Sequence, residues 1–328
     1  MSNLSKYHTI AIIGTAKNAG KTTALNALLT YTKDQKIAIT SIGLDGEKID
    51  QLTNLEKPSI HAYKDMLIAT AKDTLTVINS PYELIEELPI NTPLGKITII
   101  KLQEDADVLI AGPSSLEDLK ILKNKLATYK LDYLLIDGAL FRKSSAASQL
   151  ADAMILSSGA ALHQNMQKVI QETKSLIDTM HLPKKDIDYI NQTHLLLKNH
   201  EIILDKGDFL SNPSSLLSQA KFAVELRIKG AITNRLIDQL IASKKSIPPL
   251  EIIINDFTMI NADLSLFQKV HLLGHTVKTI NKVPLLLLTI NPTSPYFEGF
   301  DPIVFEEAMK DALPNIKIID IKRKEFHL

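Results

Sequence analysis

The chain contains no cysteine. That absence excludes disulfides, thiolate metal sites and a cysteine nucleophile together. Neither charge is in excess, since Lys plus Arg and Asp plus Glu each number 37 in 328 residues. No global field therefore favours nucleic acid or an anionic membrane, and a partner is expected to be met by shape. Long hydrophobic runs are missing as well. The longest apolar stretch, Leu285 to Ile290 with Thr289 inside it, falls far short of the roughly 20 residues a spanning helix needs. Residues 1 to 8 are polar, and the apolar run Ile10 to Ile13 is too short for the core of a signal peptide. The expectation is a soluble, cytoplasmic protein. The nine histidines show no metal-binding spacing, and no G-x-S-x-G nucleophile elbow is present.

Against these absences one segment stands out. Gly14, Thr15, Ala16, Lys17, Asn18, Ala19, Gly20, Lys21, Thr22 and Thr23 follow the apolar run Ile10 to Ile13 and lead into Ala24 to Leu29. A strand before and a helix after are the setting of a phosphate-binding loop. Backbone N–H groups and the positive end of the helix dipole can then hold a nucleotide's phosphates, with Lys21 reaching the outer ones and Thr22 reaching Mg2+. Gly20 lets the backbone come that close. The G-x-x-x-x-G-K-[ST] pattern has Thr15 where its first glycine belongs, and Gly14 stands one residue early.

Acids complete the expected site. Leu134 to Ile136 is an apolar strand ending in Asp137 and Gly138, where Asp137 can hold magnesium directly or through water. Asp45 and Glu47 follow the second strand. Strand ends of a doubly wound sheet open onto one crevice, so Asp45, ahead of Glu47, is placed near the terminal phosphate; an ordinary Asp-Gly turn is the alternative. The expected catalytic set is Lys21, Asp45 and Asp137, with Thr22 and Asp137 on the metal. Lys17 and the pair Arg142 and Lys143 are further cations that touch phosphate or are solvated. Ser157 and Ser158 read as a loop between a strand and a helix, and His163 as an ordinary polar residue within that helix. Asn234 and Asn291 are rival base contacts, with an N-cap the alternative at Thr233 or Asn234.

Short β-branched runs alternate with helical patterns, which points to an α/β fold: a P-loop NTPase with a doubly wound, mostly parallel sheet. Strands are expected at 8–13, 37–42, 108–111, 133–136 and 153–157, with helices at 21–33, 115–127 and 162–180. Residues 46–107, broken by Pro58, Pro81, Pro93 and Gly95, read as a β-rich insertion packed on that sheet. Residues 1–182 then form the nucleotide-binding domain, and the polar stretch 183–213 a linker or boundary. Residues 214–328 form a C-terminal α/β region, with the far edge of the same sheet as the alternative.

The loop Gly14 to Thr22 resembles that of dethiobiotin synthetases and cobyrinic acid amide synthases, which also place Gly-Thr one residue early. This covers about the first 25 residues and supports the phosphate-loop branch that includes MinD-type proteins. A wider resemblance rests on Thr40 to Glu47, Ile68 to Ala71, Ala111-Gly112-Pro113, Ile136 to Ala146, Ser158 to Leu162 and Thr289 to Pro292, in that order over about 250 residues. Together these look like the ATPase-like subunit of lysine 5,6-aminomutase reactivases. Phe141 departs from the pattern where an acidic residue is expected. The resemblance implies ATP and Mg2+ as cofactors, nucleotide phosphates on Gly20, Lys21 and Thr22, and Asp137 on the metal strand. It also implies a MutS-like partner subunit and an adenosylcobalamin-dependent aminomutase as the complex served. Members of this branch often pair face to face across the nucleotide, so a homodimer is one arrangement it implies. A ligase or kinase acting on a small carboxylate is the alternative, with Arg142 and Lys143 lining its pocket; a non-hydrolysing nucleotide-dependent scaffold is a third.

Overall fold

In a computed structural model of the chain, the described residues are 3–42, 59–140, 150–197, 201–204, 220–324 and 326. They form two compact units, Met1–Gln171 with Val283–Leu328, and Glu172–Lys282.

The first unit begins with β1 (Thr9–Gly14), buried at every position, as a strand covered on both faces of a parallel sheet must be. Helix α1 (Lys21–Tyr31) follows, then β2 (Ile37–Ser41), β3 (Ile60–Ala62), β4 (Leu67–Ala71), β5 (Tyr82–Thr92), β6 (Gly95–Leu102) and β7 (Ala106–Val108). Helix α2 (Leu116–Ala127) starts where the Ser115 hydroxyl accepts from Asp118 N at 3.0 Å, a capping contact that satisfies one of the first-turn donors. Next come β8 (Tyr133–Leu140), β9 (Ala153–Gly159) and helix α3 (Met166–Met180), which runs into the second unit.

That unit contains β10 (Thr193–Leu197), β11 (Glu201–Leu204), β12 (Ala223–Ile228), β13 (Ile232–Thr233), helix α4 (Asn234–Ala242), β14 (Glu251–Ile254), β15 (Ile260–Asn261), helix α5 (Leu264–Leu272) and β16 (Thr276–Thr279). The chain then returns to the first unit with β17 (Leu285–Asn291), helix α6 (Pro302–Ala312) and β18 (Ile318–Ile319).

The first unit is built on a nine-stranded sheet in the order β18-β17-β9-β1-β8-β2-β4-β6-β5. Seven strands, β18 to β4, run parallel, and β6 and β5 close one edge antiparallel. Helix α1 buries Ala24, Leu25, Leu28 and Leu29 against Ile10, Ile12, Ile37, Ile39 and Leu135. This apolar contact fixes where the helix starts relative to the strand ends.

Several expectations change here. The segment expected to pack on the sheet as an insertion instead lengthens it, because β4 pairs with β2 and carries the β6–β5 hairpin. The strand expected at 108–111 is β7, which ends at Val108 and pairs antiparallel with β3 outside the large sheet. The polar stretch 183–213 suggested a boundary, yet the units divide at 171/172 and 282/283. Within that stretch β10 and β11 pair through backbone bonds that do not require apolar side chains at every position. The C-terminal region is split: 220–282 builds the second unit, while β17 and β18 complete the first sheet.

The second unit has its own five-stranded sheet, β11-β10-β12-β14-β16, with β12, β14 and β16 parallel. Leu226, Ile252, Ile254 and Val277 share a core with Leu236, Ile237 and Leu240 of α4 and Phe267 and Val270 of α5. Alternating residues on the same strands carry charge. Lys185 meets Glu225 at 3.0 Å and also pairs with Glu251. Arg227 Nε donates to Glu225 at 2.6 Å, and Lys278 pairs with Glu251. Among the described residues no helix is long and apolar enough to cross a membrane.

Two outcomes follow from this packing. Leu28, fully buried in the α1 contact, truncated as Leu28→Ala, is expected to cost about 3 kcal/mol through lost burial and the cavity left behind. A lowered urea midpoint with an unchanged slope would show it. In the second unit, burial opposes ionisation of Glu251, but hydrogen bonds and charge from Lys185 and Lys278 outweigh it and hold the carboxyl below the usual glutamate range. A depressed folded pKa stabilises fully above the unfolded value of about 4.3, and that contribution is lost as pH falls through the folded value. Acid unfolding followed by circular dichroism is therefore expected to show a shallower limb in Glu251→Gln than in the wild type.

Candidate functional site

The carboxyl end of β1 lies between two parallel neighbours. Ile12 stands level with Asp137 of β8, and Gly14 stands level with Ser157 of β9. Asp137 is also level with Ser41 at the end of β2. The loop after β1 and the acid of β8 thus open on one edge of the sheet, where the crevice of a parallel α/β sheet forms.

Backbone pairing carries one residue past β1, because Thr15 N donates to the Ser157 carbonyl at 2.9 Å. The Thr15 hydroxyl donates to Ser158 Oγ at 3.2 Å, and Thr289 Oγ1 of β17 donates to Ser157 Oγ at 2.8 Å. The chain then turns through Asn18 at φ 61° and Gly20 at φ 99° into α1. Gly20 occupies the left-handed region that glycine adopts without cost. Gly20 at the N-cap offers no side-chain cap to α1, and the helix's first turn carries no acid. N–H groups at such a helix start suit an anion, with the helix dipole in its favour.

Gly14 explains the displaced glycine of the motif. A Cβ at that position would stand 2.9 Å from Lys21 Cγ and 3.0 Å from Cδ. The lysine stem therefore lies across the last residue of β1, and only a residue without a side chain leaves that path open. Beside the loop, Ala19, Gly20, Thr23, Asn291 and Lys322 line a narrow crevice.

Thr22 lies in the first turn of α1; the strand expected to end at Asp137 continues to Leu140, so Asp137, half-buried with its Oδ1 shielded from solvent, lies within β8 rather than at its end. Among the described residues no group of three or more His, Asp or Glu side chains gathers as a metal cage. One hydroxyl and one carboxylate suit instead a magnesium ion that takes its remaining ligands from phosphate oxygens and water.

Other expected residues fall elsewhere. Asp45, Glu47, Phe141, Arg142 and Lys143 lie outside the described residues. Asn234 belongs to the second unit, where its amide donates to Asp263 Oδ2 at 2.9 Å and its Oδ1 accepts from Asp263 N at 2.8 Å. It tethers the starts of α4 and α5, and Thr233 is the N-cap, accepting from Leu236 N at 3.4 Å. Asn291 ends β17 beside Gly20, and its Nδ2 donates to the Asn18 carbonyl at 3.3 Å. Ser157 lies in the expected strand, and Ser158, expected in the loop after it, is also a buried residue of β9, which runs to Gly159. His163 precedes α3 rather than lying in it, and its Nδ1 accepts from Asn165 N at 2.8 Å. Tyr296, which the sequence did not single out, accepts from Asn18 Nδ2 at 3.0 Å across 278 residues of chain. No local pattern could signal a contact that distant.

Fold and site together define the class: an α/β protein with a large, mostly parallel sheet and a glycine-flanked loop leading from its central strand into a helix. No family model, curated protein or solved structure matches the chain.

Proposed function

We propose that the chain is a Mg2+-dependent P-loop nucleotide-binding protein, an ATPase that serves as the reactivating factor of an adenosylcobalamin-dependent amino acid aminomutase. The nucleotide part of this reading is carried by one observation: the Lys21 stem lies across Gly14 at the end of a strand whose parallel neighbour carries Asp137 at the same edge. In this reading the uncapped first turn of α1 binds the phosphates, Lys21 neutralises the outer charge, and Thr22 and Asp137 hold the magnesium, which would offset the charge that develops on phosphoryl transfer. The reactivating part comes from the sequence resemblance, and with it a MutS-like partner subunit; a cytoplasmic setting is proposed from the polar N-terminus and the short apolar runs. Hydrolysis would then switch affinity for the mutase complex, so turnover should depend on that complex.

Phosphate release from ATP, measured alone and with inactivated aminomutase plus the partner subunit, separates the readings. Stimulation by the complex is the expected result. Strong turnover that requires only a small carboxylate would overturn the reactivating role in favour of a ligase or kinase. For the site itself, Lys21→Ala is expected to weaken ATP binding by at least tenfold, about 1.4 kcal/mol, and Asp137→Ala to remove the Mg2+ dependence of that binding. Gly14→Val, which obstructs the Lys21 path without removing a charge, is expected to lower ATP affinity roughly tenfold. Calorimetry showing unchanged affinity in Lys21→Ala and Gly14→Val would sink the assignment.

A further inference from the structure

We propose that Tyr296 is a positioning residue for the loop after β1, latching its crest through Asn18; this rests on the nucleotide reading above and adds to it a control of loop geometry from the far end of the chain. Asn18 is held from both sides. Its side-chain Nδ2 donates to Tyr296 Oη at 3.0 Å, and its backbone carbonyl accepts from Asn291 Nδ2 at 3.3 Å. Asn18 needs such support, because at φ 61° it occupies a region where a Cβ crowds the backbone. Asparagine tolerates that region better than most residues, and a left-handed residue is what turns successive N–H groups toward one concave side, as in an anion-binding nest.

The support is itself braced. Asn291 Oδ1 accepts from Thr293 N at 3.2 Å and from Thr293 Oγ1 at 2.8 Å. Ser294 Oγ accepts from Tyr296 N at 3.1 Å and Phe297 N at 3.2 Å. Phe300 N closes the segment on the Pro292 carbonyl at 2.8 Å. Asp301 then caps α6, accepting from Ile303 N and Val304 N, both at 2.9 Å. The segment 291–301 is thus a compact bracket that presents one hydroxyl to the loop crest. The Tyr296 residue is 42 % exposed, so core packing does not account for its place.

The test is calorimetry of Mg-ADP binding to the full chain. Tyr296→Phe removes only the latching oxygen and is expected to raise Kd about fivefold, the net worth of one hydrogen bond of about 1 kcal/mol, with no change in thermal unfolding. Asn18→Ala loses the latch and the tolerance of a left-handed backbone together, and is expected to lose more than tenfold. In an Asn18→Gly background the backbone adopts its conformation without help, so adding Tyr296→Phe is expected to change nothing further. That last arm separates positioning from general structure. An unchanged Kd in Tyr296→Phe, or the same fivefold loss in the Asn18→Gly background, overturns the inference while the nucleotide reading stands. Absence of Mg-ADP binding by the wild type overturns both.

Discussion

The pairing of β1 between β8 and β9 is the constraint on which the candidate site depends. Parallel pairing sets the strands in level rows, so Ile12, Asp137 and Ser41 lie abreast and Gly14 and Ser157 two residues further on. Everything chemical is then set by what each strand carries in these rows. The hydrogen bond from Thr15 N to the Ser157 carbonyl continues the pairing past β1, and the loop can bend only after it. The hydroxyls of Thr15, Ser157, Ser158 and Thr289 bond to one another or to that edge, which satisfies polar groups that burial would otherwise penalise. A stiff strand terminus under a loop is what a phosphate site requires, because N–H groups must be held in place before the anion arrives.

What the sequence made legible follows from the range of each signal. The ends of α1, α2, β2 and β9 are local matters of periodicity, capping and β-branching, and reading them from the chain came within a few residues. The loop was legible for the same reason. Pairing partners are long-range, and there the reading was weaker: β7 left the main sheet, β4 to β6 joined it, and β17 and β18 returned to the first unit after an entire second unit. A polar side chain also misled: Ser158 lies in β9, because a strand's backbone is satisfied by its neighbours whatever its side chains are. Tyr296 carried no signal at all, since its meaning arises only once Asn18 is beside it.

The two units use burial differently. In the first, β1, β2 and β9 beside the loop carry buried apolar residues and hydroxyls but no charge, and β8 brings in the single acid Asp137. In the second, the face of β12, β14 and β16 opposite α4 and α5 carries Glu225, Arg227, Glu251 and Lys278, with Lys185 bridging the two acids. Partly buried ions of this kind contribute little net stability, because desolvation offsets most of their attraction, but removing one partner leaves the others uncompensated. The band therefore acts chiefly on register: sliding one strand by a residue would turn its charges into the apolar side.

The displaced glycine links the local loop to distant parts of the chain. In the usual spacing the first glycine relieves the loop itself. Here Thr15 takes that place and is bound into the strand rows by its N–H and its hydroxyl, so the loop is anchored one residue later than the standard count suggests. The space that glycine provides is needed instead under the Lys21 stem, at Gly14. A shortened free loop has fewer residues over which to reverse direction, and the reversal falls on Asn18 and Gly20 as two left-handed positions. Glycine meets that demand alone, whereas asparagine requires outside support, which the bracket after β17 supplies. One shifted residue in the motif thus accounts for the path of the lysine, the strain at the crest and the contact with a tyrosine 278 positions away.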